Sequence, residues 1–241
     1  MSGVYIISAP SGSGKSTLVD RVRQIVPGLK FSISYTTRPH RGDEKNGREY
    51  FFVSRTEFEE MMRKDEFLEY ADVFGNYYGT ARRFLREAEQ EGNDLLLDID
   101  VQGAAQIKRK IPQAVSIFIL PPNRQELEKR LRLRSLDAEP VIQRRLVTAS
   151  REIENYTKYD YILVNDRLEE SIAALQSILL AERLKRPGAQ THERQENRQQ
   201  PISADDANLI ATAERYRLDN VRERLQPILA SFEKAAAPGG R

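Results

Sequence analysis

The chain has 241 residues, 39% hydrophobic and 31% charged, with a formal net charge of only +2, which suits one large domain, or a domain of about 190 residues with an appendage, and argues against a wholesale nucleic-acid-binding surface. It has no cysteine and two isolated histidines, His40 and His192, so disulfides, thiolate zinc sites, a cysteine nucleophile and a histidine-rich metal site are excluded. No apolar run approaches the ~20 residues of a membrane span and no secretory pattern precedes the first strand, so a cytoplasmic setting is expected.

Gly3 to Ser8 is short, apolar and β-branched, and predicts a buried strand. Ala9-Pro10-Ser11-Gly12-Ser13-Gly14-Lys15-Ser16-Thr17 follows, and Leu18, Val19, Val22, Ile25 and Val26 then repeat at helical spacing. Strand, glycine-rich turn, Lys-Ser and helix is the context of a phosphate-binding loop. Gly12 and Gly14 permit the dihedrals that point successive N–H groups into one concavity, ahead of a helix N-terminus that favours polyanionic phosphate. Lys15 adds charge for the outer phosphates, and the Ser16 hydroxyl suits a phosphate-bound Mg2+. Ala9 stands where the pattern usually begins with glycine, a change that a small residue tolerates.

Lys30 to Thr37 predicts a strand, Arg38 to Gly42 an ordered turn, Lys45 to Arg48 a hairpin tip and Glu49 to Val53 the return strand. Arg38 and Arg41 in this loop suit a second anionic group, with a solvated charged loop as the alternative. Thr56 to Lys64 predicts a helix packing through Phe58, Met61 and Met62. Phe67 to Phe74 reads as a strand, and Gly75 to Thr80 as a turn. Tyr77 and Tyr78 there either pack or offer a hydroxyl to a ligand. A helix is expected from about Ala81 to Gln90. Asn93 to Asp100 is a buried strand ending in two acids, with Asp98 where a phosphoryl-transfer enzyme governs Mg2+ waters and Asp100 capping the next helix.

Ala114 to Leu120 predicts another strand, Asn123 to Arg134 and Val141 to Thr157 two helices, Asp160 to Val164 the last strand, and Leu168 to Lys185 a helix. The alternation predicts a parallel sheet flanked by helices, interrupted by a mainly β insert from about 31 to 80. Arg130, Arg132, Arg134, Arg144 and Arg145 lie on two helices joined by a short linker. They read either as a lid that closes on a phosphoryl group or as solvated faces. Residues 187–204 read as a polar linker. Residues 205–241 form an extension, with helical periodicity to Phe232 and a break or kink expected at Pro227. Its apolar face must dock on its own chain, on another subunit or on a partner.

These motifs in this order resemble guanylate kinase over about residues 3–185. They are Ser8 to Thr17; Ser32-Ile33-Ser34-Tyr35-Thr36-Thr37-Arg38-Pro39; Asn46-Gly47-Arg48-Glu49-Tyr50-Phe51-Phe52; Gly75-Asn76-Tyr77-Tyr78-Gly79-Thr80; Leu97-Asp98-Ile99-Asp100-Val101-Gln102-Gly103; and Val164-Asn165-Asp166. The phosphate loop alone would name only a superfamily. The Ser34 to Arg38 and Asn76 to Gly79 pieces are more specific.

The resemblance implies a three-layer α/β P-loop fold over residues 1–186, with a monophosphate-binding insert and a helical lid at about 130–145. It implies direct in-line transfer of the ATP γ-phosphoryl group to GMP, and to dGMP, with Mg2+, in purine nucleotide metabolism and GMP recycling. Ser34, Glu69 and Thr80 would read the guanine edge, with a further contact from Asp100. A carboxylate that accepts from N1 and the exocyclic amine selects guanine, because adenine cannot supply both donors. Arg38, Arg41, Tyr50 and Tyr78 would hold the GMP phosphate, helped by Asp98. Ala9, Pro10, Ser11, Gly12, Ser13, Gly14, Lys15, Ser16 and Thr17, with Arg134 and Asn165, would hold ATP. Lys15, Arg38, Arg130, Arg134 and Arg145 would carry catalysis. Ser16, and Asp98 through water, would hold the metal.

The implied partners are ATP and GMP, with neither nucleic acid nor membrane, and with a homo-oligomer or partner contact through the extension. Two departures concern side chains: Thr80 stands where serine is frequent, and Ser135 where glycine is. A phosphopeptide-binding module and a P-loop kinase of another acceptor are the rival readings.

Overall fold

The computed structural model describes residues 2–73, 75–134, 138–186 and 203–233, with the backbone alone at 134. Ser135 and the linker residues 187–202 lie outside them. Two compact units emerge, Met1–Ile6 with Gly28–Val115, and Ile7–Pro27 with Ser116–Arg241. The strand β1 (Val4–Ser8) crosses from one to the other. The five-stranded sheet has the order β2 (Leu29–Phe31), β7 (Asp94–Asp98), β1, β8 (Val115–Leu120), β9 (Tyr161–Val164), an α/β architecture consistent with the expected P-loop fold.

In the first unit β2 (Leu29–Phe31) pairs in parallel with β7 (Asp94–Asp98). Leu95, Leu96 and Leu97 are fully buried, as expected of an inner strand of a parallel sheet. The insert forms its own four-stranded sheet, β4-β3-β6-β5, from β3 (Tyr35–Thr36), β4 (Phe51–Phe52), β5 (Phe67–Val73) and β6 (Asn76–Ala81).

Three expectations change here. The single strand expected over 30–37 is two strands in two sheets, separated at Ser32–Ser34. The hairpin expected over 35–53 does not form, because β3 and β4 run parallel, Tyr35 beside Phe51. A parallel pair needs a crossover rather than a tight turn, and residues 37–50 supply it. Glycine in a left-handed conformation at Gly47 and its N–H to the Tyr50 carbonyl (2.8 Å) make only a local turn at the end of that crossover. Residues 76–80, expected as a turn, are strand β6, antiparallel to both β3 and β5.

Strand alternation separates the adjacent tyrosines of β6. Tyr77 stacks on Phe58 of α2 (Arg55–Arg63), with ring centroids 5.3 Å apart. Its hydroxyl meets Arg55 at 2.6 Å. Gly79 shares that face, where a Cβ would approach Phe67 to 2.9 Å and Phe58 to 3.0 Å, so its lack of a side chain lets those rings stack at 4.4 Å. Tyr78 and Thr80 point to the opposite face. Helices α3 (Arg83–Glu91) and α4 (Val101–Lys110) complete the unit.

In the second unit β8 (Val115–Leu120) pairs in parallel with β9 (Tyr161–Val164). Helix α1 (Lys15–Ile25) packs against α7 (Leu168–Lys185). Helices α5 (Arg124–Arg134) and α6 (Glu139–Ile153) flank the 135–138 connection, and a 3-10 turn, Glu154–Lys158, follows.

The extension is two helices, α8 (Ala204–Glu214) and α9 (Leu218–Glu233). Its break falls at 215–217, and α9 runs through Pro227, whose neighbour one turn back, Glu223, is exposed, so the freed carbonyl there can meet water. The extension docks on its own chain. Ala213, Val221, Leu225 and Phe232 are buried, α8 lies on α7, and α9 on α5, α6 and β9. Among the described residues no helix is long and apolar enough to cross a membrane.

Candidate functional site

The first unit gathers two groups of predicted residues. One surrounds Glu69. The pairing of β5 with β6 slips between Phe67 and Glu69, so Phe67 lies opposite Ala81 while Glu69 lies opposite Thr80. This bulge places Phe67 on the Phe58 side and Glu69 on the Thr80 side, although two residues apart they would share a face in a regular strand. Glu69 is 3% exposed, and burial pushes its carboxyl up to about 7, with the Asp100 charge adding to the rise and Thr80 and Lys110 opposing it.

Thr80 Oγ1 is buried with no hydrogen-bonding partner of good geometry among the described residues. Asp100 caps α4, its side chain accepting the Gly103 N–H at 2.8 Å, as its position after a buried strand predicts. Gly103, absent from the predicted site, faces the Glu69 carboxylate so closely that a Cβ would stand 2.9 Å from its Cδ. Ser34 is half-buried at the edge of β3, its carbonyl accepting the Phe51 N–H at 2.9 Å.

The second group surrounds Arg38, which is 8% exposed. Its guanidinium lies 5.4 Å from the Tyr50 ring centroid and 5.7 Å from that of Phe52. The Tyr50 and Tyr78 rings meet edge to face at 5.9 Å. Burial pushes the Tyr50 hydroxyl up to about 12, reinforced by the charge of Asp98 at the end of β7. That hydroxyl therefore keeps its proton and remains a donor.

Sequence reasoning passed over Glu44. It accepts from Arg38 Nη2 at 2.9 and 3.0 Å and from the Arg41 N–H at 2.7 Å, and Arg38 holds its carboxyl below the usual range. Its only sequence signal is an acid six residues after a loop arginine. Arg41 itself is exposed.

The second unit carries the phosphate loop. Gly12 and Gly14 adopt φ of 90° and 85°. Gly14 is the N-cap of α1, no side chain caps that helix, and no acid lies in its first turn, so the positive end of the helix favours an anion there. Lys15 is half-buried, Ser16 and Thr17 are exposed, and the Ser8 and Ser13 hydroxyls are buried with no protein partner among the described residues.

Helix α5 and the end of β9 brace this loop. A Cβ on Gly12 would meet Leu131 at 2.9 Å and Leu127 at 3.0 Å. Asn165 donates from Nδ2 to the Ser13 carbonyl at 2.7 Å. Arg130 bonds the Asn165 carbonyl at 3.0 Å and Glu126 at 2.9 Å. The arginines grouped by sequence therefore divide. Arg132 pairs with Glu128 of its own helix and ties α5 to α6 through Glu139, which holds Glu139 down to about 2. Arg145 is half-buried on α6 and Arg144 exposed; the Arg134 side chain lies outside what is described.

Among the described residues no group of three or more His, Asp and Glu is arranged to hold a metal. A metal would instead be held through phosphate oxygens, a hydroxyl and waters, and Mg2+ is bound in that way. The exposed residue Ser16, with its hydroxyl, and the start of α1 without a side-chain cap fit that role.

A family model described as guanylate kinase matches residues 1–182. The guanylate kinase of Koribacter versatilis is 56% identical over 242 residues, 99% of each chain. Those of Vibrio parahaemolyticus and Escherichia coli K12 are 49% and 48% identical over 184 residues, 76% of this chain and 89% of theirs. The crystal structure of guanylate kinase from Anaplasma phagocytophilum superposes with a TM-score of 0.63 at 33% identity, covering 81% of this chain and 92% of that one. The phosphate loop, the buried glutamate and the Arg38 cluster thus occur in a chain that belongs to the guanylate kinase family.

Proposed function

We propose that this chain transfers the ATP γ-phosphoryl group to GMP in line, with no covalent enzyme intermediate, the phosphate loop holding the donor and a Glu69 and Arg38 site holding the acceptor. ATP-dependent phosphorylation of GMP to GDP is the activity of the family at this level of identity. The observation that carries the assignment of roles is the buried Glu69, opposite Thr80 and beside Asp100, in the same unit as the Arg38, Tyr50 and Tyr78 cluster.

The Glu69 carboxylate accepts from guanine N1–H and the 2-amino group, and the buried Thr80 hydroxyl beside it takes a further contact with the base. Ser34 and Asp100 complete this reading. Arg38, Arg41, Tyr50 and Tyr78 hold the GMP phosphate, with Glu44 fixing the Arg38 fork beforehand. The GMP phosphate is already a competent nucleophile, so no side chain has to become one. Catalysis is then positioning and charge neutralisation.

On the donor side the N–H groups of the loop and Lys15 hold the ATP phosphates, while Asn165 and Arg130 keep the loop in shape. Arg134 and Arg145 supply further positive charge. Ser16 would hold the Mg2+ that accompanies ATP, and Asp98 would order waters on the acceptor side; when bound, the ion neutralises phosphate charge. The 2′-hydroxyl has no assigned partner, so dGMP is a substrate in this reading. The setting is cytoplasmic purine nucleotide metabolism.

The test is ADP formation by the purified protein with ATP, Mg2+ and a panel of GMP, dGMP, AMP, UMP and CMP. GMP and dGMP should turn over, with GMP favoured over AMP by at least about 10⁴ in kcat/KM, the range for a site built to bond donors that the analogue lacks. Equal turnover of AMP would overturn the guanine reading, and no ADP with any acceptor would favour a phosphopeptide-binding module.

A further inference from the structure

Strand β5 lies at the edge of the four-stranded sheet, so among the described residues the backbone groups on its outer side have no neighbouring strand. Its bulge adds another demand, since the extra residue leaves the ladder. Helix α4 meets both. The Gln106 side-chain amide accepts the Tyr70 N–H at 3.3 Å and donates to the Tyr70 carbonyl at 2.6 Å, as a paired strand would. Lys110 donates to the carbonyl of Leu68, the extra residue of the bulge, at 2.5 Å. Gly103 leaves room for the Glu69 carboxylate itself. Residues 103, 106 and 110 follow the three- and four-residue steps of one helix face. The residues on either side of Glu69 are thus both gripped from this face.

We propose that Gly103, Gln106 and Lys110 are positioning residues that set guanine selectivity, by fixing the bulged edge strand from which Glu69 is aimed. This inference rests on the reading of Glu69 as the guanine-selecting carboxylate. A carboxylate that accepts two donors at once is sensitive to its angle, whereas one that accepts a single donor can re-aim. Loosening β5 should therefore weaken the second bond before the first.

The probe is inosine monophosphate, which keeps the N1–H of guanine and lacks its 2-amino group. Gln106→Ala and Lys110→Met should raise the KM for GMP by about 10- to 100-fold and narrow the GMP-to-inosine-monophosphate ratio of kcat/KM, while the KM for ATP stays unchanged. Lys110→Arg, which keeps a cationic donor, should restore the ratio. Because that ratio does not depend on how much of the sample is folded, a loss of stability alone cannot mimic the result. Glu69→Ala separates the two claims. If it collapses the ratio while Gln106→Ala and Lys110→Met leave it unchanged, the positioning role is overturned and the Glu69 reading stands. If Glu69→Ala leaves the ratio unchanged, the Glu69 reading falls and the positioning role with it.

Discussion

Glu69 sits where ionisation is disfavoured, yet its proposed task requires the charged form. Its carboxyl is raised from an ordinary 4.5 to about 7, chiefly by burial. Between those values the folded protein holds a proton that the unfolded chain has released, so stability falls as pH rises through this window. Glu69→Gln should therefore stabilise the unliganded protein at pH 8, by up to about 3 kcal/mol in urea denaturation, and should have little effect near pH 4. GMP binding should show the opposite preference, because only the carboxylate accepts both guanine donors. The KM for GMP is expected to rise as pH falls below about 7, while that for ATP stays flat; a flat profile for both would contradict the role given to Glu69. At this scale the motifs of the sequence mark Thr80, Arg38 and Tyr78, whereas Glu69 is named only by the family resemblance. It could not mark Glu44 or Gly103, because what they do depends on neighbours that only folding supplies.

Helical elements were legible because their apolar faces repeat within a few residues, and the inner strands because they are continuously apolar. The insert was not. Its strands are short, and the residue count between β3 and β4 does not distinguish a wide hairpin from a crossover; the parallel pairing does. Strand parity misleads in the same way at Phe67 and Glu69, where the bulge reverses the expected faces. The lid reading treated the arginines of 130–145 as one set, whereas ion pairs commit Arg132 and hydrogen bonds commit Arg130. The extension was legible as a helix but not as two, since the break at 215–217 carries neither glycine nor proline. Its packing makes a prediction at this scale. Leu225, 1% exposed on α9, should cost about 2–5 kcal/mol when replaced by alanine, measured by chemical denaturation. A value near zero would mean that α9 contributes little to the folded unit.

For the whole molecule, the matched family model ends at 182, whereas the alignment with the Koribacter versatilis relative, at 99% of this chain, runs on through α8 and α9. The extension meets the rest of its unit through polar as well as apolar groups. The Tyr161 hydroxyl donates to Glu182 at 2.5 Å, and Arg217 reaches the same carboxylate at 3.0 Å. Burial and that bond to Glu182 push the Tyr161 hydroxyl well above the ordinary tyrosine range. The backbone joins as well. Ile162 N–H donates to the Tyr216 carbonyl at 2.9 Å, Leu218 N–H donates to the Asp160 carbonyl at 3.1 Å, and Tyr161 and Arg217 form an antiparallel bridge. Strand β9 is the last in its sheet, and its free side would otherwise present open N–H and C=O groups to any passing strand. The turn between α8 and α9 covers part of that side through these bonds, and its expected effect is to oppose pairing with a second strand. A chain ended at Arg186 should form concentration-dependent oligomers in light scattering, at concentrations where the full chain gives a constant mass. A truncated chain of constant mass would show that β9 needs no such cover.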